Sequence, residues 1–341
     1  MTFLQQAPRL SVDDAVRLAR DLYGLDASAA PLPSERDQNF LLTSSAVPGT
    51  RGLGTRGLGT RGVTDRHVLK IANATEDRAM LEAQNAAMAH VAKGVAICPH
   101  ALPTRSGELI AVVPGRNHFA RLVTYVEGIP MAEAGGRTAA LFESLGTTVG
   151  RLDAALADFD HPAIHREFHW DLSRAGAVIG QHLSCVPDTA DREIVGRITR
   201  AALAIVEWHQ SAFRRSAVHH DANDWNVMVA NGEVVGIIDF GDMVHSWTVA
   251  DPSVAVAYAM LDAADPLDVS DTVMRGYQAE HPLREEERAA VFPLACLRLC
   301  MSACIAAWQL QQRSDDEYLA VSQQPIRRTL PALAAILERR G

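Results

Sequence analysis

The stretch that decides the reading is His219-His220-Asp221-Ala222-Asn223-Asp224-Trp225-Asn226, followed by Ile237-Ile238-Asp239-Phe240-Gly241-Asp242. Polar residues crowd a loop set between short apolar runs, the arrangement by which a scaffold holds a loop rigidly. Asp221 and Asn226 are five apart in that loop, and Asp239 follows the turn Asn231-Gly232, which can fold it back beside them. Three oxygen-bearing groups thereby converge. Carboxylate and amide oxygens suit a hard ion such as Mg²⁺, which takes its remaining ligands from phosphates. A carboxylate left over can orient a hydroxyl nucleophile.

Outward from this stretch the sequence has two textures. Residues 11–23 form a short amphipathic helix, opened by Ser11 and Asp14 in N-cap and N3-like positions and stopped by Gly24. Alternating or apolar runs at 39–43, 67–71, 109–113 and 119–126 read as an antiparallel sheet, interrupted by one helix from Thr75 to Gly94. After Gly128 and Pro130 the pattern turns to Ala- and Leu-rich helical stretches at 137–159, 189–213, 249–263, 284–311 and 327–339. Only 217–219, 227–229 and 234–238 interrupt it with strand character. The expected fold class is α+β: a small mixed N-terminal lobe over 1–123, a hinge at 124–130, and a larger helical lobe over 131–341 that carries the polar loop.

The bulk properties narrow the function. At roughly 150 residues per domain, 341 residues suggest two domains or one two-lobed enzyme. With 32 Lys and Arg against 41 Asp and Glu, the net charge of −9 offers no basic field for a polyanion, so nucleic acid is not an expected partner. No uninterrupted apolar run reaches the roughly 18 residues of a bilayer span. The longest candidate, 294–310, carries Arg298 inside it, so no membrane partner is expected. Five cysteines form no disulfide framework and no export leader is visible, which together suggest a cytoplasmic protein. A homodimer is compatible with the sequence.

The pattern H-x-D-x-x-x-x-N followed by D-F-G is similar to the catalytic and metal-binding loops of protein kinases. More closely, the chain resembles the aminoglycoside phosphotransferase and choline kinase family of small-molecule kinases, from about residue 10 to 330. Within that family it looks most like the hydroxylysine-kinase branch, through Asp37-Gln38-Asn39-Phe40, Val68-Leu69-Lys70-Ile71, Leu122-Val123-Thr124-Tyr125 and Gly236-Ile237-Ile238-Asp239-Phe240-Gly241-Asp242. The resemblance implies a protein-kinase-like fold and transfer of a γ-phosphoryl group from ATP or GTP, with Mg²⁺, to a hydroxyl of a small amine-bearing acceptor. It implies Asp221 as catalytic base, Asn226 and Asp239 as Mg²⁺ ligands, and Lys70 on the α- and β-phosphates. Glu82 would be the ion-pair partner of Lys70, with Glu76 as the alternative. Alternation supports Lys70, since Leu69 and Ile71 point to one face and Lys70 to the other. By itself, Lys70 would read as a solvated edge-strand lysine and Glu82 as a surface helix charge.

The turn from Ser34 through Asp37 and Gln38 to Asn39 would cover the phosphates, and backbone groups of Thr124, Tyr125 and Val126 would meet the purine. Trp170, Asp171, Asp242, His245 and Trp247 are candidates for the acceptor pocket, because an ammonium wants carboxylates and aromatic faces. Two alternatives stay open: an aminoglycoside kinase, and a nucleotide-binding protein without catalysis.

The chain departs from the family pattern in two places. His220 stands where small-molecule kinases usually carry Gly, and a Gly/Arg repeat at 51–62 precedes the Lys70 strand as an insertion. The repeat contains G-x-G-x-x-G twice, yet a strand follows it where a dinucleotide site needs a helix, so it reads as a hairpin loop at 49–62. His161, His165 and His169 are four apart and read as helix-surface histidines. Cys296, Cys300 and Cys304 read as small buried thiols on one helix face. Asp251, at the start of Asp251-Pro252-Ser253, reads as a helix cap that also braces the catalytic loop through backbone N–H groups.

Overall fold

The computed structural model describes residues 7–34, 36–45, 64–312 and 323–340. The chain divides into two compact units, one of Met1–Ala92 and Cys98–Val126, the other of Lys93–Ile97 and Glu127–Gly341.

In the first unit, α1 (Val12–Tyr23) starts where the sequence dictates. The Ser11 hydroxyl accepts the Asp14 N–H at 3.1 Å and the Asp14 carboxylate accepts the Ser11 N–H at 2.9 Å, so two orphan donors are satisfied reciprocally. Gly24 ends the helix at φ 69°. Strands β1 (Ala27–Leu32), β2 (Gln38–Ser45), β3 (Thr64–Ile71), β4 (Ala101–Leu102), β5 (Ala111–Val112) and β6 (Phe119–Thr124) form one antiparallel sheet. Its order is β1-β2-β3-β6-β4, with β5 also paired to β6. Phe40, Leu42, Leu69, Ile71, Ala120 and Leu122 alternate onto one face and bury α1 through Ala15, Leu18 and Ala19. Register sets Asn39, Lys70 and Arg121 in a row on the opposite face. There α2 (Arg78–Val91) receives the Arg121 guanidinium, at 2.7 Å from Gln84 Oε1 and 3.0 Å from Asn85 Oδ1. The Gly/Arg repeat lies outside the described residues.

The second unit is mainly helical: α3 (Ala139–Leu156), α4 (Ala175–His182), α5 (Thr189–His209), α6 (Ala250–Ala259), α7 (Pro266–Glu280), α8 (Glu285–Gln312) and α9 (Gln323–Arg340). Strands β7 (Ile129–Pro130), β9 (Val227–Ala230) and β10 (Glu233–Ile237) form one small sheet, and β8 (Arg215–Val218) pairs with β11 (Val244–Trp247). The β9–β10 turn has Asn231 at φ 53° and Gly232 at φ 81°, the left-handed pair that a tight hairpin requires.

Helix α8 is long and apolar enough to cross a bilayer, but 94% of its apolar window is buried inside the unit, so it serves as the core helix. Cys296, Cys300 and Cys304 are fully buried in it. Helices α3 and α7 touch backbone to backbone. A Cβ on Gly146 would stand 1.8 Å from the Val273 carbonyl oxygen, and one on Gly276 would stand 2.0 Å from that of Glu143. Two facing glycines are what allow this approach.

The architecture is the α+β class expected, with antiparallel strands first and helices after. Strands β1, β4, β7 and β11 and helix α4 lack a sequence signal strong enough to have been read. Helix α7 had its signal in Asp265, which caps it by accepting the Leu267 and Asp268 N–H groups. The histidines at 161, 165 and 169 are corrected: they sit in an irregular segment with a 3-10 turn at Pro162–Ile164, because Pro162 and the His161 cap favour a turn over an α-helix. Among the described residues no group of three or more His, Cys, Asp or Glu is placed to hold a metal ion.

Candidate active site

The loop 219–226 leaves β8 and is fixed from below by one carboxylate. Asp251, fully buried in the first turn of α6, accepts the His219 N–H at 2.7 Å and the His220 N–H at 2.5 Å. The brace expected of Asp251 is thus present, whereas the cap reading is corrected: Val249 is the N-cap of α6, without a side-chain cap bond, and Asp251 lies inside the first turn. Both imidazoles are buried, which pushes their pKa values down and keeps them neutral. His219 Nδ1 accepts the Asp221 N–H at 3.2 Å, so its Nε2 carries the proton and donates to the Ile238 carbonyl at 3.2 Å. Its ring meets Phe240 edge-on at 4.7 Å. A single histidine therefore ties the start of the loop to the segment that carries Asp239.

The convergence expected of Asp221, Asn226 and Asp239 is built by hydrogen bonds. Asn226 Nδ2 donates to Asp221 Oδ2 at 2.6 Å and to the Asp221 carbonyl at 3.0 Å. The Ile238 N–H donates to the Asn226 carbonyl at 2.9 Å, which brings Asn226 alongside the residue preceding Asp239. Asp239 has φ 65°, and its carboxylate accepts the Gly241 N–H at 3.2 Å. Asn223 Nδ2 donates to Asp221 Oδ1 at 3.0 Å. Because both nitrogen hydrogens of Asn226 are used on Asp221, its amide oxygen is the atom left for a cation. Burial, then the neighbouring Asp242 charge, pushes the Asp221 carboxyl well above the usual carboxylate range, while Arg298 opposes them.

His220 has φ 67°. That backbone is easy for glycine and costs an L-residue with a Cβ about 1 kcal/mol, which gives a physical reason for a Gly at this position. The imidazole is fully buried, with Nε2 accepting the Leu172 N–H at 3.2 Å and Nδ1 without a hydrogen-bond partner.

Arg298 of α8 was missed as a site residue. It is 2% exposed, and its Nη2 donates to Asp221 Oδ1 at 2.8 Å. The Trp170 ring lies over the guanidinium at 4.5 Å and the Tyr258 ring is 5.9 Å away. The signal was available, since a lone arginine in a long apolar helix is costly to bury and needs a reason.

Other expected site residues divide. Trp170 stays near Asp221 through Arg298, and Asp242 through its charge. His245 stacks on His165 at 4.4 Å. Asp171 is corrected: it is buried and already accepts from Ser173 N–H, Ser173 Oγ and Ser246 Oγ, so its oxygens are spent on holding the local fold. Trp247 is corrected as well. It packs against Phe213 at 5.2 Å and pairs with Arg215, at the end of the β8–β11 ladder away from the loop.

In the first unit, Lys70 lies on the face that alternation assigns it, between Asn39 and Arg121 in register. Glu82 is corrected: it points outward on α2 and pairs with Arg78 at 2.9 Å, because its helix buries the neighbouring Leu81, Ala83 and Gln84 instead. Gln38 is corrected too, since its amide bonds both the N–H and the carbonyl of Leu10. Asp37 accepts the Asn73 N–H at 3.0 Å. Asn39 is buried, with Oδ1 unpartnered, while Ser34 is partly exposed. Thr124 exchanges backbone and hydroxyl bonds with His100, Tyr125 lies under Arg66 at 4.3 Å, and Val126 ends the unit.

An antiparallel sheet unit with a strand lysine, and a helical unit with the Asp221–Asn226–Asp239 loops, define a kinase-like phosphotransferase. The model of the phosphotransferase enzyme family (APH) matches residues 55–290, and the chain belongs to that family as a small-molecule kinase. It is 30% identical to hydroxylysine kinase of Bos taurus over 340 residues and 29% identical to that of Mus musculus over 338. Each match covers 92% of this chain and 87% of the relative. Its fold is that of the microcompartment-associated aminopropanol kinase (TM-score 0.68, 16% identity, 96% of this chain and 97% of that one). It is equally that of an amicoumacin kinase solved with AMP-PNP, Ca²⁺ and its ligand (TM-score 0.67, 14% identity, 94% and 93%).

Proposed function

We propose that this enzyme transfers the γ-phosphoryl group of ATP or GTP to a hydroxyl of a small, hydroxylysine-like amine-bearing acceptor. The observation that carries the reading is the bonded set of Asp221 and Asn226 beside the Asp239 segment, held by Asp251 and His219. A binding module has no need for that combination. The similarity to hydroxylysine kinases along nearly the whole chain supports the acceptor class.

In this reading Asp221 orients the acceptor hydroxyl and takes its proton. The hydroxyl oxygen bonds to the γ-phosphorus, the bond from that phosphorus to the β,γ-bridging oxygen breaks, and a nucleoside diphosphate leaves. The Asn226 amide oxygen and the Asp239 carboxylate would hold Mg²⁺, a hard-oxygen donor set that fits it. Such an ion, when bound, supplies charge neutralisation for the phosphates and opposes the rise in the Asp221 pKa. The family resemblance gives Lys70 the role of a positive charge for the phosphates, and in such a transfer most of the acceleration comes from positioning and electrostatics.

The test is mass-spectrometric detection of phosphoryl transfer from ATP or GTP with Mg²⁺. The panel comprises hydroxy amino acids, amino alcohols, choline-like compounds and aminoglycosides, with Asp221→Asn as control. Phosphorylation of one acceptor class by the wild type alone supports the reading. Nucleotide binding with no transfer to any acceptor refutes it.

A further inference from the structure

Arg298 is the least explained charge in the second unit. It is buried to 2% exposure in a helix whose neighbouring residues, Leu294 to Leu297 and Leu299 to Cys300, are fully buried and apolar. A buried guanidinium carries five N–H donors, and native structures satisfy such groups almost completely. Here Nη2 reaches Asp221 Oδ1, while Nε and Nη1 have no hydrogen-bond partner. The rings of Trp170 and Tyr258 flank the group, and although the Tyr258 hydroxyl interacts with the guanidinium, Nε and Nη1 stay without a hydrogen-bond partner. A purely structural ion pair would be a poor return for that burial.

The acceptor side of the pair is also heavily used, with three of about four carboxylate lone-pair positions taken by side-chain donors. Asp221 Oδ1 takes Asn223 Nδ2 and Arg298 Nη2, and Oδ2 takes Asn226 Nδ2. A carboxylate in this state has little lone-pair capacity left for a hydroxyl proton. The exposed member of the pair is Asp221, with its side chain 18% accessible against 2% for Arg298, so a ligand meets the pair from the Asp221 side.

We infer that Arg298 is the receptor for a carboxylate of the acceptor, which makes the acceptor a hydroxy amino acid and not a decarboxylated amino alcohol. The inference rests on the kinase reading above and narrows its substrate class. The incoming carboxylate takes the Nη2 donor and an adjacent unused N–H of the guanidinium, a bidentate match that Arg makes well. Asp221 keeps its bonds to Asn226 and Asn223, and the loss of the arginine opens one acceptor position on Oδ1 for the acceptor hydroxyl. Binding of the correct acceptor thus releases the base. Trp170 covers the guanidinium and excludes water from the exchange.

The experiment compares matched acceptors that differ only in the carboxylate: 5-hydroxylysine against its decarboxylated diamino alcohol, and homoserine against 3-aminopropanol. Each pair is measured on the wild type, Arg298→Gln and Arg298→Lys, by turnover and by calorimetric binding without nucleotide. The wild type should prefer the carboxylate-bearing member of a pair by about a hundredfold or more in kcat/KM, because a decarboxylated analogue leaves buried donors unpaired. The preference should collapse toward unity in Arg298→Gln and fall part-way in Arg298→Lys. Since the readout is a ratio within one protein, a general loss of activity cancels, and the wild-type ratio tests the inference even if a variant fails to fold.

Turnover without carboxylate preference in the wild type, or preference kept in Arg298→Gln, overturns the inference and leaves the kinase reading intact. Carboxylate-dependent binding that needs Arg298, without any turnover, upholds the inference and overturns the kinase reading. Neither binding nor turnover of either member overturns both.

Discussion

Replacing Asp251 by Asn tests whether the catalytic loop is held by one carboxylate. The native group accepts two backbone N–H donors, at 2.7 Å from His219 and 2.5 Å from His220, in a fully buried setting. Asn keeps one oxygen and turns an NH₂ toward the second donor. One charge-assisted bond becomes a neutral one, a loss of roughly 1 kcal/mol, and one N–H is left buried without a partner, a loss of roughly 1–3 kcal/mol. The sum is about 2–4 kcal/mol, equivalent to roughly 5–15 °C in melting temperature for a unit of this size. Thermal unfolding followed by circular dichroism reads the shift. Activity should fall further than stability at assay temperature, because His219 and His220 lead directly into Asp221. A melting temperature within a degree of wild type, with normal turnover, would show that the loop does not depend on this carboxylate.

Asp239→Asn should abolish turnover while leaving the melting temperature near wild type, since Asn tolerates φ 65° and still accepts the Gly241 N–H; retained activity would remove Asp239 from the site. Gly146→Ala should destabilise by more than the usual 1–3 kcal/mol of overpacking, because the new methyl would meet the rigid Val273 carbonyl at 1.8 Å; an unchanged urea midpoint would refute the close helix contact.

The pH dependence has a definite sign at Asp153, whose carboxyl is pushed well above the ordinary range by burial and then by the Asp251 charge. The folded state therefore holds a proton that the unfolded state releases above its ordinary pKa of 3.8, so this group's contribution declines as pH rises from there toward the raised folded value. Asp153→Asn should lose that decline, and unfolding free energies measured across this window should diverge increasingly from wild type in favour of the variant. Parallel curves would contradict the assignment.

The sequence was most legible where local chemistry and tertiary role coincide. Ser11, Asp14 and Gly24 bound α1 because caps act within a few residues. The spacing of Asp221, Asn226 and Asp239 made their convergence legible, because a short loop and one hairpin join them. What failed depended on partners distant in sequence. Glu82 lies within the correct helix, yet only the packed orientation of α2 reveals that Gln84 and Asn85 face the sheet and that Arg121 fills the space against them. Trp247 looked close to the site along the chain, but strand pairing carries it to the far end of the ladder. Strand β1, Ala-Ser-Ala-Ala-Pro-Leu, has no β-branched residue, and Pro31 suits only its edge position. Arg298 stood in plain view as a charge in an apolar run, but its meaning required knowing that α8 passes beneath Asp221.

The grouping of residues 93–97 with the helical unit has a practical outcome for anyone dissecting this chain. The Ile97 carbonyl accepts the Ile237 N–H at 2.8 Å, two residues before Asp239. A fragment begun at Glu127 would therefore lack a segment that completes the hairpin carrying Asp239, although that segment lies some thirty residues upstream along the chain. Autonomous expression of the helical half calls for a permuted chain in which 93–97 is restored by a new linker, and reconstitution from separate fragments calls for a break elsewhere than at 126.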